Sequence, residues 1–208
     1  MNVRNKSVLF FLILASNIGA SLFGWDWGEY LTKPLLVPLL GWLLVGSKWI
    51  RVKWIWFALF FSWVGDIVLM LPIDGFVLGL GSFLLAHLFY IRHFWGIWDR
   101  SRISFKPLYL VGVVGYLSGL ILLLFPLLGS LQLPVIAYGL VISTMLLLAL
   151  HAGSIGYQWG AAFFVLSDSI LAINKFHTPL PVSALWVMGT YGWAQYRIVF
   201  SSRTEKFG

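Results

Sequence analysis

Ala58-Leu59-Phe60-Phe61-Ser62-Trp63-Val64-Gly65-Asp66-Ile67-Val68-Leu69-Met70 sets one carboxylate inside an otherwise apolar run. Extended at both ends, the run covers residues 54–73, about the roughly 20 residues that a helix needs to cross a bilayer. A charge within hydrocarbon is costly, so an aspartate there is a functional-site hypothesis by default. A second stretch has the same form. Ala161-Ala162-Phe163-Phe164-Val165-Leu166-Ser167-Asp168 again leads an apolar helix up to a single aspartate. The plainer alternative for each residue is a hydrogen-bonded carboxyl that ties helices together. Two of them in matching contexts favour function.

The rest of the chain agrees with a membrane setting. Of 208 residues, 60% are hydrophobic and 10% charged, where soluble domains carry about 25% charged residues. Mean hydropathy is +0.91. Disordered chains, coiled coils and conventional soluble enzymes are excluded. Apolar segments run approximately over 8–25, 31–46, 54–73, 76–95, 107–126, 131–150, 156–174 and 180–200, with Pro, Gly or charge at their edges. The expected fold is therefore an all-α integral membrane protein of eight transmembrane helices. Residues 1–208 form a single transmembrane domain with no room for a soluble one. The first segment follows Arg4 and Lys6 but lacks a clean small-residue cleavage site, so it reads as a retained helix. Cysteine is absent, which removes disulfides, thiolate metal sites and cysteine nucleophiles.

Charge placement predicts orientation. With both termini in the cytoplasm, that side holds twelve of the 14 basic residues: Arg4, Lys6, Lys48, Arg51, Lys53, Arg92, Arg100, Arg102, Lys106, Arg197, Arg203 and Lys206. The other side holds Lys33 and Lys175, with Asp26, Glu29 and Asp74. This is a positive-inside pattern, and it suits a bacterial inner membrane. Trp25, Trp27, Trp49, Trp54, Trp95, Trp98, Trp159 and Trp186 fall near span ends, as an aromatic belt does. The net charge of +7 is thus a topology signal, and no nucleic-acid motif accompanies it.

The two aspartate stretches belong to a longer correspondence. Gly81-Ser82-Phe83-Leu84-Leu85-Ala86-His87 in the fourth span resembles Gly189-Thr190-Tyr191-Gly192-Trp193-Ala194-Gln195 in the eighth. Similar pieces four spans apart share one orientation, so residues 1–104 and 105–208 read as parallel four-helix repeats about an axis along the membrane normal. Asp66 and Asp168 then lie at equal depth, roughly 10 Å below the outer edge at 1.5 Å per residue. An axis of this kind brings the carboxyls toward each other. Two close carboxyls cannot both ionise cheaply, so one keeps its proton, and one residue type supplies an acid and a base.

Further polar side chains lie in the spans: Ser62, Ser82, His87, Tyr90, Tyr138, Ser167, Asn174, Tyr191 and Gln195. His87 and Tyr90, and likewise Tyr191 and Gln195, share a helical face. Each is a candidate substrate contact, with interhelical hydrogen bonding as the simpler role. Lys33 and Lys175 break the positive-inside pattern. They are either snorkelling cations or contacts for a phosphate above the aspartates. The histidines are scattered, and no cluster with metal-ligand spacing appears.

At these positions the sequence resembles the YhhN-like lysoplasmalogenase family. The matching pieces are Lys33-Pro34, Phe61-Ser62-x-x-Gly65-Asp66, Leu78-Gly79 with Phe83 and His87-x-x-Tyr90, Tyr138, Phe164-x-x-Ser167-Asp168-Ser169, Lys175-Phe176 and Tyr191-x-x-x-Gln195. The resemblance implies hydrolysis of the sn-1 vinyl ether of a lysoplasmalogen. The products would be a fatty aldehyde and glycerophosphoethanolamine or glycerophosphocholine. The expected partners are this lysophospholipid and membrane lipid, with no cofactor. A vinyl ether hydrolyses by protonation at carbon to an oxocarbenium ion that water captures. Paired carboxylates serve a similar ion in glycoside hydrolysis. Asp66 and Asp168 are then the expected acid and carboxylate, in either order. His87, Tyr90, Tyr191 and Gln195 would orient water or the ether oxygen, and Lys33 and Lys175 would hold the phosphate. A proton-coupled transporter or lipid-binding protein using the same aspartates is the competing reading. An intramembrane aspartyl protease fits poorly, because Trp63-Val64-Gly65 precedes Asp66 where a Gly-x-Gly-Asp pattern is needed.

Overall fold

The computed structural model describes residues 1–71, 75–97 and 106–204, and the side chains of all of these except 49–51. Pro72, Asp74, Trp98, Arg100, Arg102 and Lys206 lie outside the described residues, as do the side chains of Trp49 and Arg51. Among the described residues there are eight α-helices and no strand: α1 (Val3–Leu22), α2 (Asp26–Leu44), α3 (Trp49–Met70), α4 (Phe76–Ile97), α5 (Pro107–Leu124), α6 (Gln132–His151), α7 (Ile155–Phe176) and α8 (Ser183–Thr204). Two short 3-10 turns, Phe125–Leu127 and Gly129–Leu131, join α5 to α6. Gly24 and Gly153 take left-handed φ values of 65° and 75° in the α1–α2 and α6–α7 turns, a conformation in which glycine meets no Cβ penalty.

Among the described residues five helices are long and apolar enough to cross a membrane: α1, α3, α4, α5 (extended to Leu127) and α6 (from Gly129). The protein is accordingly an integral membrane protein. The other three helices carry more polar residues. Asp26, Glu29 and Lys33 lie on α2, Gln158, Asp168, Asn174 and Lys175 on α7, and Thr190, Gln195, Arg197 and Arg203 on α8.

The helices pack mainly as hairpins. α3 lies along α4, and α7 along α8; α4 packs on α6 as α8 packs on α2; α2 meets α3 as α6 meets α7. Each pairing recurs four helices later. α1 seals the α2–α8 side, whereas α5 buries only Val113 and Leu124 and leans mainly on α6. Lipid tails are as apolar as leucine, so close packing rather than water exclusion holds such helices together, and small residues allow it. At Gly160 on α7 an added Cβ would fall 2.6 Å from Ile198 Cγ1 and 3.1 Å from the Ala194 carbonyl oxygen of α8.

α2 differs from its expected start at residue 31. It begins at Asp26 and runs through Pro34 and Pro38. Asp26 and Glu29 occupy its first turn, where the helix dipole favours negative charge. Pro38 has no N–H for the Pro34 carbonyl four residues earlier. The Trp63 indole of α3 supplies that bond, Nε1–H donating to Pro34 O at 2.8 Å. At the other end, Lys6 Nζ donates to Trp42 O at 2.7 Å and Arg203 to Leu43 O and Val45 O. These two cations close the carbonyl terminus of α2 as well as contributing to the charge pattern.

Candidate active site

Asp66 lies four residues before the end of α3 and Asp168 eight before the end of α7, each with its own tyrosine donor. Asp66 is 3% exposed, and its Oδ2 accepts the Tyr191 hydroxyl proton at 2.7 Å. Asp168 accepts from the Tyr138 hydroxyl on α6, and His87 Nε2 of α4 lies 3.5 Å from the same Asp168 Oδ2. Tyr138 and His87 also approach each other, at 3.5 Å. Phe164 stands between the two sets. Its ring meets His87 edge-on at 4.7 Å and Tyr191 at 5.5 Å. The two carboxyls thus have separate hydrogen-bond partners, on either side of Phe164.

The carboxyls differ in access. Asp168, with a side chain 17% exposed, opens onto two cavities. One, about 50 Å³, is lined by Leu69, Phe76, Phe83, Tyr138, Asp168 and Leu171 among others. It shares Leu69, Phe76 and Leu171 with a cleft of about 300 Å³ that holds Lys33, Asn174 and Lys175. On its other side it shares Val135, Tyr138, Asp168 and Ala172 with an apolar slot of about 60 Å³ between α5, α6 and α7. The order is therefore cationic cleft, carboxyl, hydrocarbon slot. Asp66 lines none of the three.

The remaining candidates divide. Tyr90 and Gln195 are fully buried and bonded to each other, and Gln195 Nε2 donates to Tyr191. Ser62 is buried on α3, one turn before Asp66. Ser167 spends its hydroxyl on Val187 O of α8 at 3.0 Å, and Asn174 Oδ1 accepts the Leu180 N–H at 2.8 Å. Ser82 is apart from this cluster, its hydroxyl turned back to Leu78 O. Among the described residues no group of three His, Asp or Glu side chains is placed to hold a metal.

Sequence reasoning missed three participants. Trp63 holds the Pro34 carbonyl next to Lys33, and the Pro34/Pro38 spacing was the available signal for an orphaned acceptor. Tyr116 of α5 donates to Ser169 Oγ at 2.7 Å, beside Asp168; nothing in its apolar surroundings marks it. Phe164, the partition between the carboxyls, lay within the quoted motif without a role.

The fold defines an all-helical membrane protein, in which one carboxyl, Asp168, adjoins a cavity that meets the cleft of Lys33 and Lys175. The chain belongs to the YhhN family, whose family model matches residues 28–202. It is 39% identical over 150 residues to the protein named lysoplasmalogenase TMEM86B of Homo sapiens, a match covering 70% of this chain and 61% of that relative. The pig protein of the same name is 40% identical over 146 residues, covering 69% and 61%. A Mycobacterium tuberculosis protein named lysoplasmalogenase is 34% identical over 131 residues, covering 60% and 50%. The chain thus spans about 61% of the length of the TMEM86B relatives. No solved structure matches it.

Proposed function

We propose that this protein is an intramembrane hydrolase that cleaves the sn-1 vinyl ether of lysoplasmalogens. The observation that carries this reading is the order of the three adjoining cavities. A lysoplasmalogen has a phosphate head, a glycerol, a vinyl ether just beneath it and one hydrocarbon tail. Lys33 and Lys175 suit the phosphate, Asp168 the vinyl ether and the α5–α6–α7 slot the tail. The names of the relatives support the same substrate.

The chemistry follows from that placement. A carboxylic acid, Asp168 by its access to the cavity, gives its proton to the alkenyl carbon farther from oxygen. The adjacent carbon becomes an oxocarbenium ion, which the neighbouring carboxylate charge stabilises. Water adds to that carbon and gives a proton to a carboxylate. The hemiacetal then collapses. Its carbon–oxygen bond to glycerol breaks, the glycerol oxygen takes a proton, and the aldehyde leaves along the slot. Water is consumed and the proton count is restored, with glycerophosphoethanolamine or glycerophosphocholine as the second product.

All eight helices would span the membrane in this reading, with both termini in the cytoplasm and the Lys33–Lys175 cleft at the outer face of a bacterial inner membrane. The helix pairings that recur four helices apart support two parallel repeats, 1–104 and 105–208. Purified protein should release fatty aldehyde from a vinyl-ether lysolipid and none from ester or alkyl-ether analogues. A protein that binds or moves the lipid without releasing aldehyde would support the transporter reading instead.

A further inference from the structure

Asp66 stands at the end of a row of buried groups that open onto none of the three cavities. Tyr191 is 5% exposed, and Gln195 and Tyr90 are fully buried. They come from two helices and converge on a third: Tyr90 from α4, Gln195 and Tyr191 from α8, Asp66 from α3. Tyr191 Oη lies 2.7 Å from Asp66 Oδ2, Gln195 Nε2 lies 3.3 Å from Tyr191 Oη, and Gln195 Oε1 accepts from Tyr90.

The direction of this row is fixed from its carboxylate end. The Tyr191 hydroxyl donates to Asp66 Oδ2 and so spends its single proton there, which suits a carboxylate that only accepts. The Tyr191 oxygen is then free to accept, and the Gln195 amide N–H fills it. That turns the amide oxygen toward Tyr90, which donates. Every proton in the row points toward Asp66, and bonds aligned in this way strengthen one another. A substrate contact requires a free donor or acceptor at a cavity wall. None of these three side chains lines the cleft, the middle cavity or the slot.

We propose that Tyr90, Gln195 and Tyr191 are positioning residues that hold Asp66 as the ionised carboxylate, and that they do not contact the substrate. The proposal rests on the hydrolase reading and adds a division of labour. Asp168 acts at the cavity as the proton donor, and Asp66 is the fixed anion behind it.

Tyr90→Phe removes one oxygen three hydrogen bonds away from Asp66. It should lower kcat about five-fold with KM unchanged, the scale of one hydrogen bond. Gln195→Glu keeps shape but, when the new carboxyl is ionised, offers no N–H to Tyr191. Its kcat should fall at least about ten-fold at neutral pH and recover on acidification, when the protonated carboxyl donates again. Gln195→Leu should fall without that recovery. The titratable and charged groups around this position are Tyr90 and His87 on α4, Tyr191 on α8, Asp66 on α3, Lys33 on α2 and Asp168 on α7. All are common to both Gln195 variants, so the difference between the two pH profiles isolates the new carboxyl. The infrared carboxylate band of Asp66, assigned by subtraction of Asp66→Asn, should shift in Tyr90→Phe whether or not the protein turns over lipid.

A Tyr90→Phe protein with unchanged kcat and an unmoved band overturns the proposal. So does a rise in KM at constant kcat, which marks a substrate contact. Wild-type protein that releases no aldehyde overturns the hydrolase reading instead, and the infrared band then decides the hydrogen-bonded row on its own.

Discussion

Asp66 and Asp168 differ more in surroundings than in kind. Asp66 is buried against Tyr191, whereas Asp168 opens onto two cavities beside Tyr138 and His87. Asp66→Asn and Asp168→Asn should each lower turnover at least about 100-fold, the usual weight of a positioned acid or base, with thermal unfolding little changed. Wild-type-like rates in either variant would remove the two-carboxylate mechanism. Lys33→Ala should raise KM and spare kcat, because a phosphate contact is made equally in ground and transition states; steady-state kinetics with a loss confined to kcat would contradict that. Both carboxyls were legible in the sequence because a charge within an apolar run has few reasons to be there. The hydroxyls were less legible. Ser82 and Ser167 look alike in sequence, yet one bonds its own helix and the other bridges to α8. Backbone carbonyls compete for such groups, and only the packing decides which carbonyl is near.

At the scale of helices, α2 carries the least expected geometry. Proline usually ends or kinks a helix, and Lys33-Pro34 reads as a span edge. The helix continues because Asp26 and Glu29 favour its start and Trp63 takes over the carbonyl that Pro38 leaves open. Lys33 is thereby held on a full helical turn facing the cleft rather than in a loop. Trp63→Phe keeps one aromatic ring and deletes the pyrrole half of the indole with its donor. It should cost about 1–3 kcal/mol, the usual penalty for a buried acceptor left without a partner, measurable as a lower Tm in detergent. An unchanged Tm would show that the Pro34 carbonyl has another source of hydrogen bonding. The helices themselves were readable from the length of the apolar runs and the Pro, Gly or charge at their edges. The near-isolation of α5 was not, since its sequence is as apolar as that of α6 and differs mainly in how few of its side chains are buried.

For the whole molecule, the distribution of basic residues predicts the cleft on the outer face and both termini inside. The absence of cysteine makes this directly measurable with single introduced thiols. Thr178→Cys, after α7, should react with an impermeant maleimide in intact cells. Lys48→Cys, between α2 and α3, should react only after the membrane is opened. The reverse pattern would invert the topology. Membrane residence, helix number and family were legible from composition, spacing and motif. The division of the site into cleft, carboxyl and slot was not, because it arises where α2, α3, α4, α5, α6 and α7 meet and no single segment contains it.

The central claim is that a carboxyl of this protein protonates a vinyl ether at carbon. Turnover of a vinyl-ether lysolipid in D₂O, with the aldehyde reduced as it forms and analysed by mass spectrometry, tests it most directly. The account predicts one deuterium on the carbon next to the former carbonyl, with none in the product of the Asp168→Asn protein above background. Aldehyde that leaves wild-type protein without that deuterium would contradict protonation at carbon, and with it the role given to the carboxylate pair.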